Sequence, residues 1–190
     1  MRINLDLKPG KSGAWEVKTF HVSEQDAKWD WLRNAINGHR ERAVLPGDYW
    51  MLTEHGSIYM SNTPAEVMDH WPFIRQATGS VLVAGLGLGM VVKALLGKQD
   101  VTRIVIVEKS EDVISLVGWA YTIDPRVEIV HSDIFDYKPK EHFDYAWFDI
   151  WQEIDGNNYP EMKRLHRQFA RYARVKDSWC RAACRKKFKE

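Results

Sequence analysis

Val81–Leu82–Val83–Ala84–Gly85–Leu86–Gly87–Leu88–Gly89–Met90, running straight into Val91–Val92–Lys93–Ala94–Leu95–Leu96, decides the fold of this chain. The apolar run has the length of a strand buried on both faces. Residues 90–96 have helical spacing, so the three alternate glycines mark a tight strand-to-helix turn. Glycine there admits positive φ and lets a ligand approach without meeting a Cβ, and the helix beyond leaves its first N–H groups unpaired. The spacing is G-x-G-x-G. Met90 stands where a dinucleotide fingerprint has its last glycine, and no Gly-Lys-Ser/Thr comes after it to make a P-loop.

The next apolar run, Arg103–Val107, ends at Glu108, about 20 residues after the glycines, where nucleotide-binding folds place a carboxylate for ribose hydroxyls. The run Val127–His131 leads to Ser132–Asp133, and Asp144–Phe148 ends at Asp149. Strand and helix alternate as 81–85, 89–97, 103–108, 110–118, 127–131, 144–149 and 160–174, which predicts a parallel sheet with right-handed crossovers. Ligands of open α/β sheets bind outside the carboxyl ends of the strands. The three acids and the glycine turn are therefore expected at one cleft.

In VLVAGLGLG (81–89), VIVEKSEDVISLV (105–117), DPRVEIVHSDIFDY (124–137) and FDYAWFDIW (143–151) the chain resembles class I S-adenosylmethionine-dependent methyltransferases, and most closely their spermidine-synthase-like branch. The resemblance implies an α/β, Rossmann-like parallel sheet behind a small N-terminal β-rich segment, with S-adenosylmethionine as cofactor. It implies that Gly85, Gly87 and Gly89 hold the methionine part, Glu108 the ribose and Asp133 the adenine amine, with Lys109 and Ile134 beside them. Asp149 would face the sulfonium as the catalytic residue. Trp147 and Trp151 either lie against a cationic substrate by cation–π attraction or pack into the core.

The sequence departs from the resemblance at several positions. Val83 replaces the acid that many methyltransferases carry two positions before the first glycine. Leu88 replaces the Asp of the aminopropyltransferase motif G-G-G-D-G-G, and no second acid is present in Asp149–Ile150–Trp151–Gln152. The Asn/Asp-Pro-Pro-Tyr signature of base N-methylation is absent from the same place. Three classes remain open: a methyltransferase acting on an unidentified acceptor, an aminopropyltransferase, and a non-catalytic adenosyl-nucleoside-binding or assembly protein.

Composition agrees with a soluble globular protein: 190 residues, 45% hydrophobic, 28% charged. No apolar run approaches a membrane span and Met1–Asp6 has no signal-peptide pattern, so a cytoplasmic location without a membrane partner is expected. The histidines show no metal spacing and read as surface or cap residues, with His131 alone near the cleft; Cys180 and Cys184 read as two buried thiols on one helical face. From Met162 onward eleven Lys and Arg face only Asp177 and Glu190. That is either a solvated helix face with a basic tail or the footprint of a nucleic acid, the alternative partner to a small-molecule acceptor. Because the usual last two strands of such a sheet do not fit after residue 174, the fold is expected to be truncated and completed as a homo-oligomer.

Residues 1–62 are expected to form a strand/helix/hairpin segment and 63–190 the cofactor-binding domain. Strands are predicted over Arg2–Leu7 and Ala14–Val22 around a Pro9–Gly13 turn. A helix is capped by Ser23 with Asp26 and ends at Gly38, with one of Trp29 and Trp31 exposed. A hairpin pairs Tyr49–Thr53 with Ser57–Met60. A further helix starts with Thr63 as N-cap, Pro64 in its first position and Glu66 as the box partner.

Overall fold

A computed structural model describes residues 3–189. The N-terminal sheet is antiparallel, with β1 (Gly10–Ser12), β2 (Trp15–Val22), β3 (Gly47–Glu54) and β4 (Ser57–Ser61) in that order. His55 and Gly56 both have positive φ, 50° and 82°, as a two-residue hairpin turn between right-twisted strands requires. Of the strand expected over Arg2–Leu7, the described residues 3–7 form none. Arg2 lies outside the described residues, and Ile3–Leu7 alternates inward and outward without a ladder partner, held by Asn62 Nδ2 donating to the Ile3 carbonyl at 3.2 Å. The strand forms instead from Gly10–Ser12, where Ser12 Oγ donates to Asp112 at 2.6 Å.

Helix α1 (Glu24–Ile36) is capped by Ser23, whose oxygen accepts the Asp26 N–H at 3.1 Å. It buries only Ala27, and both Trp29 (61%) and Trp31 (45%) are exposed, where one was expected. Helix α2 (Pro64–Gln76) begins where Thr63 and Pro64 predict, but Thr63 makes no capping bond. The Glu66 carboxylate turns away to Ser61, accepting from its N–H at 2.8 Å and its hydroxyl at 2.7 Å.

The second sheet is built from β5 (Gly79–Ala84), α3 (Met90–Leu96), β6 (Val101–Glu108), α4 (Glu111–Val117), β7 (Val127–His131) and β8 (Phe143–Phe148), then α5 (Asn158–Gln168), β9 (Ala173–Ser178) and α6 (Arg181–Lys189). Its five strands are parallel in the order β7-β6-β5-β8-β9, so the glycine-bearing strand lies at the centre. The helix expected over 160–174 stops at Gln168, and the chain turns at Phe169–Tyr172 into a strand beside β8. Arg174, Lys176 and Asp177 make this strand read as polar. Charge is how an edge strand discourages pairing with another chain. Cys184 is buried, but Cys180 precedes α6 at φ 49° and is half-buried, so the two thiols do not share a covered helical face. Among the described residues no helix is long and apolar enough to cross a membrane.

Strand alternation divides the interior. Val81, Val83, Ile104 and Ile106 face α2, α3 and α4 in a core that also takes in Leu7, Val17 and Leu52 of the N-terminal segment. Leu82, Ala84, Val105 and Val107 face the other way, onto Met162, Leu165, Phe169 and Cys184. Gly89 fixes the entry to α3. It is left-handed (φ 73°), and a Cβ there would overlap the Tyr121 ring, whose hydroxyl donates to the Leu88 carbonyl at 2.8 Å. Gly89→Ala should cost about 1–3 kcal/mol of stability. Urea unfolding measures it, and an unchanged midpoint would show that the turn tolerates a side chain.

Candidate functional site

The ends of β5, β6 and β8 come together at Gly85. Its N–H donates to Val107 O at 2.9 Å, while Asp149 N–H donates to Ala84 O at 2.9 Å. Gly85 is at φ 92°, and a Cβ would strike the Asp149 carbonyl oxygen. Glu108 staples this turn to the end of β6, one carboxylate oxygen accepting Leu86 N–H and the other Ser110 N–H, each at 2.7 Å. Each oxygen keeps a further lone pair. Asp133 accepts Phe135 N–H at 2.9 Å and pairs with Lys109 Nζ at 3.0 Å. Burial works against its charge, but that amide and Lys109 together hold the Asp133 carboxyl below its ordinary range.

These strand ends floor a cavity of about 690 Å³ whose roof comes from the N-terminal sheet. Trp15 meets Tyr59 edge-on at 4.9 Å between ring centres, and Gln152 Nε2 ties the loop after β8 to the Ile58 carbonyl at 2.9 Å. Met60 reaches over the glycine turn, its Sδ accepting Leu88 N–H at 3.2 Å. Burial, with Asp149 and Glu108 nearby, pushes the Tyr59 hydroxyl up to about 12.

The far wall is acidic. Asp69 is engaged by Arg42 through two bonds of 2.5 and 3.0 Å. Among the described residues no Arg or Lys pairs with Glu66 or Asp149 in this way. Burial, with Asp149 and Asp69 adding repulsion, raises Glu66 to about 7 against the two bonds from Ser61. Burial raises Asp149 as well; His70, whose Nε2 is 3.6 Å from Asp149 Oδ2, opposes this, and Asp69 adds to it.

Of the residues read as a site, Gly85, Gly87, Glu108, Lys109, Asp133, Ile134, Asp149 and Trp151 line the cavity. Gly89 does not; its left-handed conformation serves the turn and the Tyr121 contact. Trp147, read as either a substrate contact or a core residue, is also outside and packs into the core. It is 4% exposed and stacks on Phe73 at 4.7 Å, because strand alternation turns its side chain toward α2. Trp151 borders the cavity while its indole N–H donates to Glu161 at 2.8 Å. His131 is exposed on Lys109 O, and it is His70, expected at the surface, that lines the cleft. Trp15, Arg42, Tyr59, Glu66, Asp69 and His70 all went unread as site residues. A helical spacing carried part of the information: positions 66, 69 and 70 are i, i+3 and i+4 and share one face of α2.

The same fold occurs in solved structures. Spermidine synthase in complex with the transition-state analogue AdoDATO matches with a TM-score of 0.51 and 14% identity over 90% of this chain and 54% of that one. Spermidine synthase from Thermotoga maritima gives 0.50 and 13% over 87% and 53%. The N-methyltransferase NodS from Bradyrhizobium japonicum WM9 gives 0.49 and 16% over 64% and 72%. The chain thus spans about half the length of the two synthases. No protein-family model matches it, and no curated protein matches it in sequence. The fold is the class I S-adenosylmethionine-dependent methyltransferase fold, in the form it shares with spermidine synthases.

The raised Glu66 gives a signed pH dependence. Below its ordinary 4.5 the carboxyl is protonated folded or unfolded; between 4.5 and about 7 only the folded chain holds the proton; above that the native state carries the burial cost of the charge. Stability contributed by this group therefore falls as pH rises through that window. Glu66→Gln should match wild type near pH 4 and exceed it by up to about 3 kcal/mol at pH 8. Urea midpoints across the range measure the difference, and parallel curves would refute the shift.

Proposed function

We propose that this chain binds S-adenosylmethionine and transfers its methyl group to a small cationic amine. The observation that carries the reading is the arrangement of charge around one cavity. Backbone-bonded Glu108 and Lys109-paired Asp133 stand beside the glycine turn, and Asp149 and Glu66, both pushed up by burial, stand opposite. In this reading Glu108 uses its free lone pairs for the ribose hydroxyls, Asp133 takes the adenine amine, and Gly85 and Gly87 let the methionine part lie on the backbone. A cavity of about 690 Å³ suits a nucleoside with a small acceptor. Its carboxylates repel a phosphate backbone, which favours a small acceptor over nucleic acid.

The chemistry asks for little beyond placement and one proton. The acceptor ammonium gives its proton to Asp149, and the freed nitrogen lone pair forms the N–C bond as the S–CH3 bond breaks. Its electron pair stays on sulfur, leaving neutral S-adenosylhomocysteine. Aminopropyl transfer from decarboxylated S-adenosylmethionine is the second reading, since the same acidic wall would receive a diamine. Against it, Leu88 is fully buried and brings no acid to the donor's amine.

Titration calorimetry should show S-adenosylmethionine binding to the wild type, at least roughly tenfold tighter than its decarboxylated form. Glu108→Ala should lose about 1.5–3 kcal/mol, tenfold or more. Absence of binding to the wild type would end the proposal. A preference for the decarboxylated donor would replace methyl by aminopropyl transfer.

A further inference from the structure

His70 is 2% exposed and lies one helical turn beyond Glu66 on α2. Its Nδ1 has no hydrogen-bond partner, and its Nε2 stands 3.6 Å from Asp149 Oδ2, near enough for electrostatic attraction and too far for a hydrogen bond. Trp147 Nε1 is likewise buried without a partner, in a ring that meets His70 edge-on at 5.9 Å. Around the His70–Asp149 pair stand Glu66 and Asp69 from α2, Arg42 locked onto Asp69, and Cys180 from the residues before α6.

A neutral imidazole carries a single N–H, and its neighbours choose where. With the proton on Nδ1, a lone pair on Nε2 would confront a carboxylate oxygen. With the proton on Nε2, the ring offers a donor to Asp149 and keeps a lone pair on Nδ1 in the neighbourhood of a tryptophan N–H that can only donate. The second tautomer suits both sides. We propose that His70 is the positioning residue of Asp149, its Nε2–H aiming Oδ2 and leaving Oδ1 free to take a proton in the cleft. The origin of that proton rests on the transferase reading; the pairing of the two side chains does not.

A neutral donor fits this task better than a fixed cation. Arg or Lys would depress the acid so far that it no longer accepted a proton, and would be left as an unpaired buried charge once it did. Imidazole steadies the ionised carboxylate and tolerates the neutral acid. At 3.6 Å a small rotation of either side chain brings the pair within hydrogen-bond reach.

The test tracks the Asp149 carboxyl by carbon NMR on Asp-labelled protein, with Asp149→Asn assigning the resonance. His70→Leu removes the donor, His70→Gln keeps an N–H at the reach of Nε2, and His70→Asn holds its amide too short. The Asp149 midpoint should rise by about one pH unit or more in the Leu and Asn variants and stay near wild type in the Gln variant. Affinity for S-adenosylmethionine, which carries a sulfonium charge, should shift its pH profile in the same pattern, while that for neutral S-adenosylhomocysteine should not. Equal midpoints in all variants, or a Gln variant indistinguishable from Leu and Asn, would overturn the pairing. If His70→Leu does not fold, the Gln and Asn comparison decides alone. A midpoint that moves as expected in a protein that binds neither nucleoside would keep the pairing and remove the transferase reading.

Discussion

The site exists because Gly85 has no side chain. The Asp149 carbonyl occupies the space a Cβ would need, and this close approach lets Asp149 N–H reach Ala84 O while Gly85 N–H reaches Val107 O. Three parallel strands are thereby pinned end to end at one point. Any side chain at Gly85 would push the end of β8 away from β5, and Asp149 would leave the cleft with it. Glu108 completes the junction from β6, spending one lone pair on each of two backbone N–H groups. The position of every acid in the floor depends on that contact.

Crowding carboxylates under a roof costs free energy unless each finds a partner, and the partners are unequally distributed. Asp69 has Arg42, Asp133 has Lys109, and Glu108 has two amides. Glu66 and Asp149 have only neutral donors or an imidazole at a distance, and these two are pushed toward the protonated form. The cleft therefore grades from Asp133, held below its ordinary range, to Asp149 and Glu66 on the opposite wall, raised above theirs.

Much of this arrangement is legible in sequence, for identifiable reasons. Buried parallel strands are continuous apolar runs, and the residue that ends such a run is polar because it leaves the sheet, so Glu108, Asp133 and Asp149 can be placed at one edge with no coordinates. Trp147 lies on the same face as Asp149 but inside β8, covered by Phe73 of α2, whereas Asp149 stands past the end of the strand where the cleft opens. Strand β9 is hidden by its charges, which suit an edge and carry no apolar pattern. The acidic wall escapes a sequence reading for a different reason: Glu66 has an adequate local explanation as a capping partner. Only its bonds to Ser61, at the end of β4, show that its carboxylate leaves the helix cap and stands on the cavity side of α2.

The N-terminal sheet is then a working part of the site. Trp15, Tyr59 and Met60 roof the cavity, and the bond from Gln152 to Ile58 fastens that roof to the loop beyond Asp149. Excluding water lowers the local dielectric, which raises Asp149 and Tyr59 together and strengthens every charge interaction left inside. An open sheet edge with the same three acids would leave them solvated and ionised, able to attract a cation but poor at taking its proton. The glycine turn positions Asp149 and the hairpin makes it a base, because the shift that lets it accept a proton comes first from being covered.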